Sequence, residues 1–333
     1  MSPVLTPPSR RSLCLGLLAA GALGVAVGLP AVGLALDEPT PGNSLTLPES
    51  TAEQLPQLRC HVVVDENSVV VDGVQVVRLE TVVDDHGESV RAVPDDEKRG
   101  TMIPALYDRL LEKYENEKLL ADARQTLSVL TQRPELARTG ELLISVDVDA
   151  PFSVVREVLY TAGQAQFGTF LFATHNPWHD ATRTIESTLP RIGPPTAMDE
   201  DSETPLMLSI VVSDRGLGVM GADAVLYPDG PPDSDELVPT VPCVGGGVCT
   251  GIDDYDWVEL SGILGRIKDD YPYDYGVIVV PESDVPWDIV VRVLDHARWA
   301  PHIDMDAEPG AWEAWCSARS ELFPFSILAG GAS

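Results

Sequence analysis

The sequence predicts an α/β (α+β) chain of two tandem units, each running β-hairpin, helix, strand, helix, strand, behind an N-terminal apolar helix. Three observations point there. The stretch "DAPFSVVREVLYTA" at residues 149–162 returns as "DVPWDIVVRVLDHA" at residues 284–297, with no gap inside either copy. "HVVVDENSVVVDG" at residues 61–73 aligns in the same way with "SIVVSDRGLGVMG" at residues 209–221. Between these segments, strand-like apolar runs alternate with helical periodicity, as in chains that build a covered sheet. Two separate repeats in one order are the mark of an internal duplication.

The opening 36 residues form a segment of their own. Arg10 and Arg11 precede an uncharged run from Leu13 to Leu36, and Asp37 and Glu38 follow it. Basic before and acidic after orients such a run with its N-terminus in the cytoplasm and the rest exported. Residues 13–36 are long enough to span a bilayer, which needs about 20 residues. Pro30 and the small residues Ala31, Gly33 and Ala35 also suit a signal peptidase. Residues 1–36 are therefore either a signal peptide or a signal anchor, and residues 37–57 read as a polar, proline-rich linker.

The first unit is assigned to residues 58–178. Its hairpin turns at "DEN", and its first helix shows Ile103, Leu106, Leu110 and Tyr114 at three- and four-residue steps, with Pro104 in the opening turn. "ELLISV" at residues 141–146 is a continuous apolar strand of the covered kind. In the repeated motif, Pro151 and Phe152 open a helix whose apolar face carries Val154, Val155, Val158 and Leu159, with Asp149 near enough to cap it. "GTFLFAT" at residues 168–174 closes the unit.

Residues 179–204 are assigned to a linker and residues 205–333 to the second unit. Trp257, Leu260, Leu264 and Ile267 define its first helix, and "YGVIVV" at residues 275–280 is its apolar strand. Asp284, Pro286 and Trp287 then lead a helix with Ile289, Val290, Val293 and Leu294 on its apolar face. "PFSIL" at residues 324–328 closes the unit after a long detour. In both units the last two strands are joined through a helix and should lie parallel. The offset is 135 residues for the late motifs and 148 for the hairpins, so loops at residues 82–100 and 227–243 must absorb the difference.

Charge limits the partners. With 22 basic and 52 acidic residues the formal charge is −30, which repels nucleic acid and anionic lipid alike. Cys243 and Cys249 flank the flexible "VGGGV", and in an oxidising compartment the default is a disulfide. Cys60 and Cys316 read as small buried residues. "HNPWHD" holds His175 and His179 at i and i+4 beside Asp180, but Pro177 between them argues for a solvated loop rather than a metal site. Gly245–Gly247 lack the Lys and Ser/Thr of a phosphate-binding loop, and no nucleophile elbow occurs. Asp253, Asp254 and Asp256 read as the start of a helix. Trp299, Trp312 and Trp315 form either an exposed patch for a partner or a satellite core beneath a long loop. No catalytic residue, cofactor or metal is expected.

"SVDVDAPFSVVREVLYTAGQAQF" at residues 145–167, "VPESDVPWDIVVRVLDHAR" at residues 280–298 and "LFPFSIL" at residues 322–328 resemble the periplasmic domain of the ExbD/TolR biopolymer-transport family. The motif residues that carry the resemblance are Asp149, Pro151, Phe152, Val155 and Leu159 in one copy and Asp284, Pro286, Trp287, Val290 and Leu294 in the other. It implies a non-enzymatic, single-pass inner-membrane protein with its bulk in the periplasm. Implied partners are an ExbB/TolQ-like channel subunit and a TonB/TolA-like protein, with proton-motive force driving the complex. Members of that family carry a proton-relaying aspartate in the membrane helix. Residues 13–36 contain neither Asp nor Glu, so that role passes to no residue here. The two units are expected to pair as an intramolecular pseudo-dimer. The alternative is a freestanding periplasmic binding module that kept the fold without the motor role.

Overall fold

A computed structural model of the chain describes residues 45–57, 59–83, 89–132, 137–190, 206–228 and 238–330. The apolar N-terminal segment expected at residues 13–36 lies outside the described residues. Among the described residues, no helix is long and apolar enough to cross a membrane.

The chain forms β1 (Cys60–Val64), β2 (Ser68–Val71), β3 (Val74–Arg78), β4 (Glu80–Val83) and β5 (Ser89–Ala92), then α1 (Pro104–Leu119) and α2 (Ala121–Thr131). Next come β6 (Glu141–Val146), α3 (Phe152–Gln164), β7 (Thr169–Asn176) and β8 (Ala181–Thr188). The remainder supplies β9 (Ser209–Ser213), β10 (Gly216–Met220), α4 (Asp223–Leu226), β11 (Val241–Pro242), α5 (Trp257–Asp270) and β12 (Gly276–Pro281). It ends with α6 (Trp287–Arg298), β13 (Trp299–Ala300), α7 (Pro309–Ala318), β14 (Ser320–Glu321) and β15 (Phe325–Leu328). The fold is thus mixed α/β around one large mixed sheet.

That sheet has eleven strands in the order β11-β10-β9-β12-β15-β8-β7-β6-β1-β2-β3. In the first segment β1 pairs antiparallel with β2 and parallel with β6, and β6 pairs parallel with β7. In the second, β9 pairs antiparallel with β10 and parallel with β12, and β12 pairs parallel with β15. Strand β8 stands between them, antiparallel to β7 and parallel to β15. The two sets of four strands therefore run in opposite senses on either side of β8.

Local chemistry explains the turns. Asp65 folds the β1–β2 turn by accepting from the N–H groups of Asn67 and Ser68 at 2.7 and 2.8 Å. Asp72 and Gly73, both at positive φ, make the two-residue turn into β3. Gly216 allows β10 to approach β11, because a Cβ there would collide with the Val241 carbonyl.

Alternation along the strands builds the core. Val62, Val64, Leu142, Ile144 and Val146 point to the side covered by α1, α3, α5 and α6, and join one apolar cluster that also holds Ile210, Val212, Val277 and Val279. The core is thus shared between the segments assigned to separate domains. On the opposite face Leu143, Leu171 and Ala173 form a small cluster with Leu47. All the apolar face residues expected on α3 and α6 are buried, as are Leu106, Leu110, Leu260, Leu264 and Ile267.

Three expectations need correction. Residues 181–188, inside the assigned linker 179–204, are the strand that joins the two halves of the sheet. Thr184 and Ile185 there are buried, a fate that a spacer reading of polar residues overlooks. Residues 45–57 of the assigned linker 37–57 are docked, with Ser50, Thr51 and Ala52 buried. The loop at residues 82–100 contains the paired strands β4 and β5 in part. Trp287 is fully buried against Phe172, ring centroids 4.7 Å apart, so it bridges α6 to the other segment's β7. Trp287→Ala is expected to cost about 3–5 kcal/mol of stability, read as a lower urea midpoint with an unchanged slope.

Candidate functional site

The two repeated motifs meet at their helix starts. The first turn of any α-helix leaves its N–H groups without intrahelical partners. Here Pro151 and Pro286 occupy the N-cap positions in extended conformation and no side chain caps either helix. The capping expected from Asp149 and Asp284 does not form; both side chains stay exposed. Backbone carbonyls of the opposite motif take their place. Phe152 N–H donates to Val285 O at 2.9 Å, and Trp287 N–H donates to Ala150 O at 3.0 Å. Ser153 N–H donates to Ser283 O at 2.8 Å, and Asp288 N–H to Val148 O at 3.2 Å. Each pair of bonds maps onto the other under the 135-residue offset, and Pro151 and Pro286 face one another as an antiparallel bridge.

A cleft of about 570 Å³ opens beside this junction. Its walls come from residues 45–49, Val148, His175 at the end of β7, Ile252 before α5, and Asp288 and Arg292 on α6. Burial pushes the Asp288 carboxyl up to about 6; the backbone N–H of Ile289 and the Arg292 guanidinium pull it down, and the Asp149 carboxylate raises it. Neither Asp288 nor Arg292 was singled out by sequence. The available signal was the difference between the motifs, which place Ser153 and Glu157 at the equivalent positions.

The segment 45–57 holds the cleft's outer wall as a strap. Thr46 N–H donates to Asp147 at 2.9 Å, and the backbone of residues 48–50 exchanges bonds with His175. Ser50 Oγ and Thr51 N–H then donate to the buried carboxylate of Asp295 at 3.0 and 2.7 Å. Asn176 Nδ2 donates to Ala52 O, and Glu53 pairs with Arg319 at 2.7 Å. Burial raises the Asp295 carboxyl, while Arg298 and the two strap donors oppose that shift.

Other candidate residues resolve as structure. Cys243 and Cys249 form the expected disulfide, and Cys60 is buried with its thiol pushed up to about 12, mainly by that burial. Cys316 is half-buried rather than enclosed. Asp256 caps α5 by accepting from Glu259 N–H at 2.9 Å, and Asp254 gathers the N–H groups of Thr250 and Gly251. "HNPWHD" begins as the last two residues of β7 and continues as the turn into β8, with Asn176 buried and His179 exposed. Trp312 and Trp315 are buried with Ile303 in a satellite cluster against Trp178 and Trp299, which decides between the two readings of these aromatics. His296, not flagged by sequence, is buried with Nδ1 2.7 Å from Ser261 Oγ and stacks on His302 at 3.6 Å. Burial first, then His302 and Arg292, holds His296 well below the ordinary imidazole range; burial first, then Arg292, holds His302 at about 4.

Two outcomes follow from these groups. Asp288 binds its proton more tightly in the fold than in the unfolded chain. Its contribution is therefore complete below the unfolded carboxylate value and is lost as pH rises through about 6. Asp288→Asn is expected to gain stability relative to the native chain between about pH 5 and pH 7 in chemical denaturation. Asp295→Ala strips the acceptor from Ser50 and Thr51, and is expected to cost about 2–3 kcal/mol and to admit protease cleavage within residues 45–57.

Comparison with protein-family models, with curated proteins and with solved structures finds no match for this chain.

Proposed function

We propose that this chain is a non-enzymatic, envelope-facing protein of two tandem ExbD/TolR-like units, paired as an intramolecular pseudo-dimer. In this reading it serves a proton-motive-force-coupled transport complex through protein–protein contacts with an ExbB/TolQ-like channel subunit and a TonB/TolA-like partner. One observation carries it. Two four-strand sets with the same internal order and the same pattern of parallel and antiparallel pairing, β2-β1-β6-β7 and β10-β9-β12-β15, meet through bonds that are reciprocal under the motif offset. A two-chain dimer of a single unit would use such a self-complementary junction, since an isologous contact repeats each bond twice. The charge of −30 suits a surface kept apart from nucleic acid and anionic headgroups.

The second reading is a freestanding periplasmic binding module. Two observations favour it: the cleft beside Asp288 and Arg292, and the lack of any carboxylate in residues 13–36. N-terminal sequencing of the protein from the envelope, joined to affinity capture of the full chain, separates the two. The transport reading expects residues 13–36 to be retained and a channel subunit to be captured. A cleaved leader with no captured channel subunit would transfer the chain to the binding-module reading. Sedimentation should give the mass of one chain; an obligate dimer of whole chains would break the pseudo-dimer.

A further inference from the structure

We propose that the cleft beside the motif junction binds a free aliphatic amino acid as its zwitterion, with Asp288 receiving the ammonium group and Arg292 the carboxylate. The inference rests on the cleft alone and stands whether or not the envelope role does.

Asp288 and Arg292 lie one helical turn apart on α6 and both line the cleft. Opposite charges at that spacing on a helix ordinarily pair with each other. These two do not. The Asp288 carboxylate accepts from Ile289 N–H at 2.7 Å, and the Nε of Arg292 is buried with no hydrogen-bond partner among the described residues. That Nε lies beneath the surface, but both side chains line the cleft without an ion pair between them, so each charge is open to a ligand group of opposite sign. One α-amino acid presents an anion and a cation close enough to answer both groups at once.

The rest of the wall fits an aliphatic side chain. Leu45, Leu47, Pro48, Val148 and Ile252 supply the apolar lining, and about 570 Å³ is ample for such a ligand. The other motif offers no second copy of the site. At its equivalent positions stand Ser153 and Glu157, and Glu157 is already bonded to Lys98 at 3.0 Å.

Protonation is coupled to this binding. Asp288 is faced by Asp149 from the loop before α3, by Glu49 of the strap, by His175 of β7, by Tyr255 before α5 and by Arg292 of its own helix. Burial holds its carboxyl at about 6, so an arriving ammonium must first find it ionised. Binding then releases a proton at mildly acid pH, and affinity rises with pH through about 6 before levelling.

Calorimetric titration of the purified full-length chain with leucine, leucinamide and N-acetyl-leucine tests the assignment. Leucine is expected to bind at least about tenfold more tightly than either analogue, since each analogue forfeits one charge-assisted contact. Leucine should also bind roughly tenfold more weakly at pH 5 than at pH 7.5. Asp288→Asn should erase the preference over N-acetyl-leucine, and Arg292→Gln the preference over leucinamide. No binding of leucine, or equal binding of all three ligands, overturns the proposal. Because the analogue series is read on the unmodified chain, a variant that fails to fold does not blunt the test.

Discussion

The exchange of backbone hydrogen bonds between the starts of α3 and α6 is the constraint on which the rest of this structure depends. Both helices begin at a proline, which has no N–H to donate, and neither gains a side-chain cap. Their next N–H groups still need acceptors in a region where Phe152 and Trp287 exclude water. Each helix finds acceptors in the loop leading to the other, so neither helix start is satisfied without its counterpart. That mutual requirement explains why the two segments share one sheet and one apolar cluster. Trp287 shows how firmly packing dominates there: its Nε1 is buried with no partner among the described residues, yet the ring seats against Phe172.

On this near-symmetric backbone the side chains diverge, and the cleft appears where they do. Ser153 and Asp288 hold equivalent places, as do Glu157 and Arg292. In the first motif Lys98 closes over Glu157; in the second the charges remain open to the cleft. The second segment also carries the long detour through α7, whose Trp312 and Trp315 join Trp299 in the satellite cluster; Arg319 lies over Trp299 and Trp315 and, through Glu53, holds the strap. The two strand sets thus share a pairing order while their side chains differ at equivalent positions.

Much of the frame was legible because it is locally encoded. The apolar strands β6 and β12, the helix faces of α3 and α6, and the parallel pairing of the closing strands follow from periodicity and connection rules. The Cys243–Cys249 disulfide followed from the spacing of the two cysteines and the expected export of the chain. Strand β3 was overlooked although Asp72-Gly73 is a strong hairpin turn signal; its counterpart in the second segment is β11, which pairs with β10. Strand β8 was overlooked for another reason. "ATRTIEST" alternates weakly, and its burial depends on β7 and β15 flanking it.

From residues alone came the duplicated motif, the identity and faces of its helices and strands, the disulfide and the acidic surface. All of these depend on spacing within one stretch of chain. The tertiary structure decided the single eleven-stranded sheet, the reciprocal capping in place of Asp149 and Asp284, the docked strap on Asp295, and the meeting of Asp288 and Arg292 with residues 45–49. Those features join groups more than a hundred residues apart. Their energies come from desolvation and mutual hydrogen bonding, which exist only once the chain has brought distant partners together.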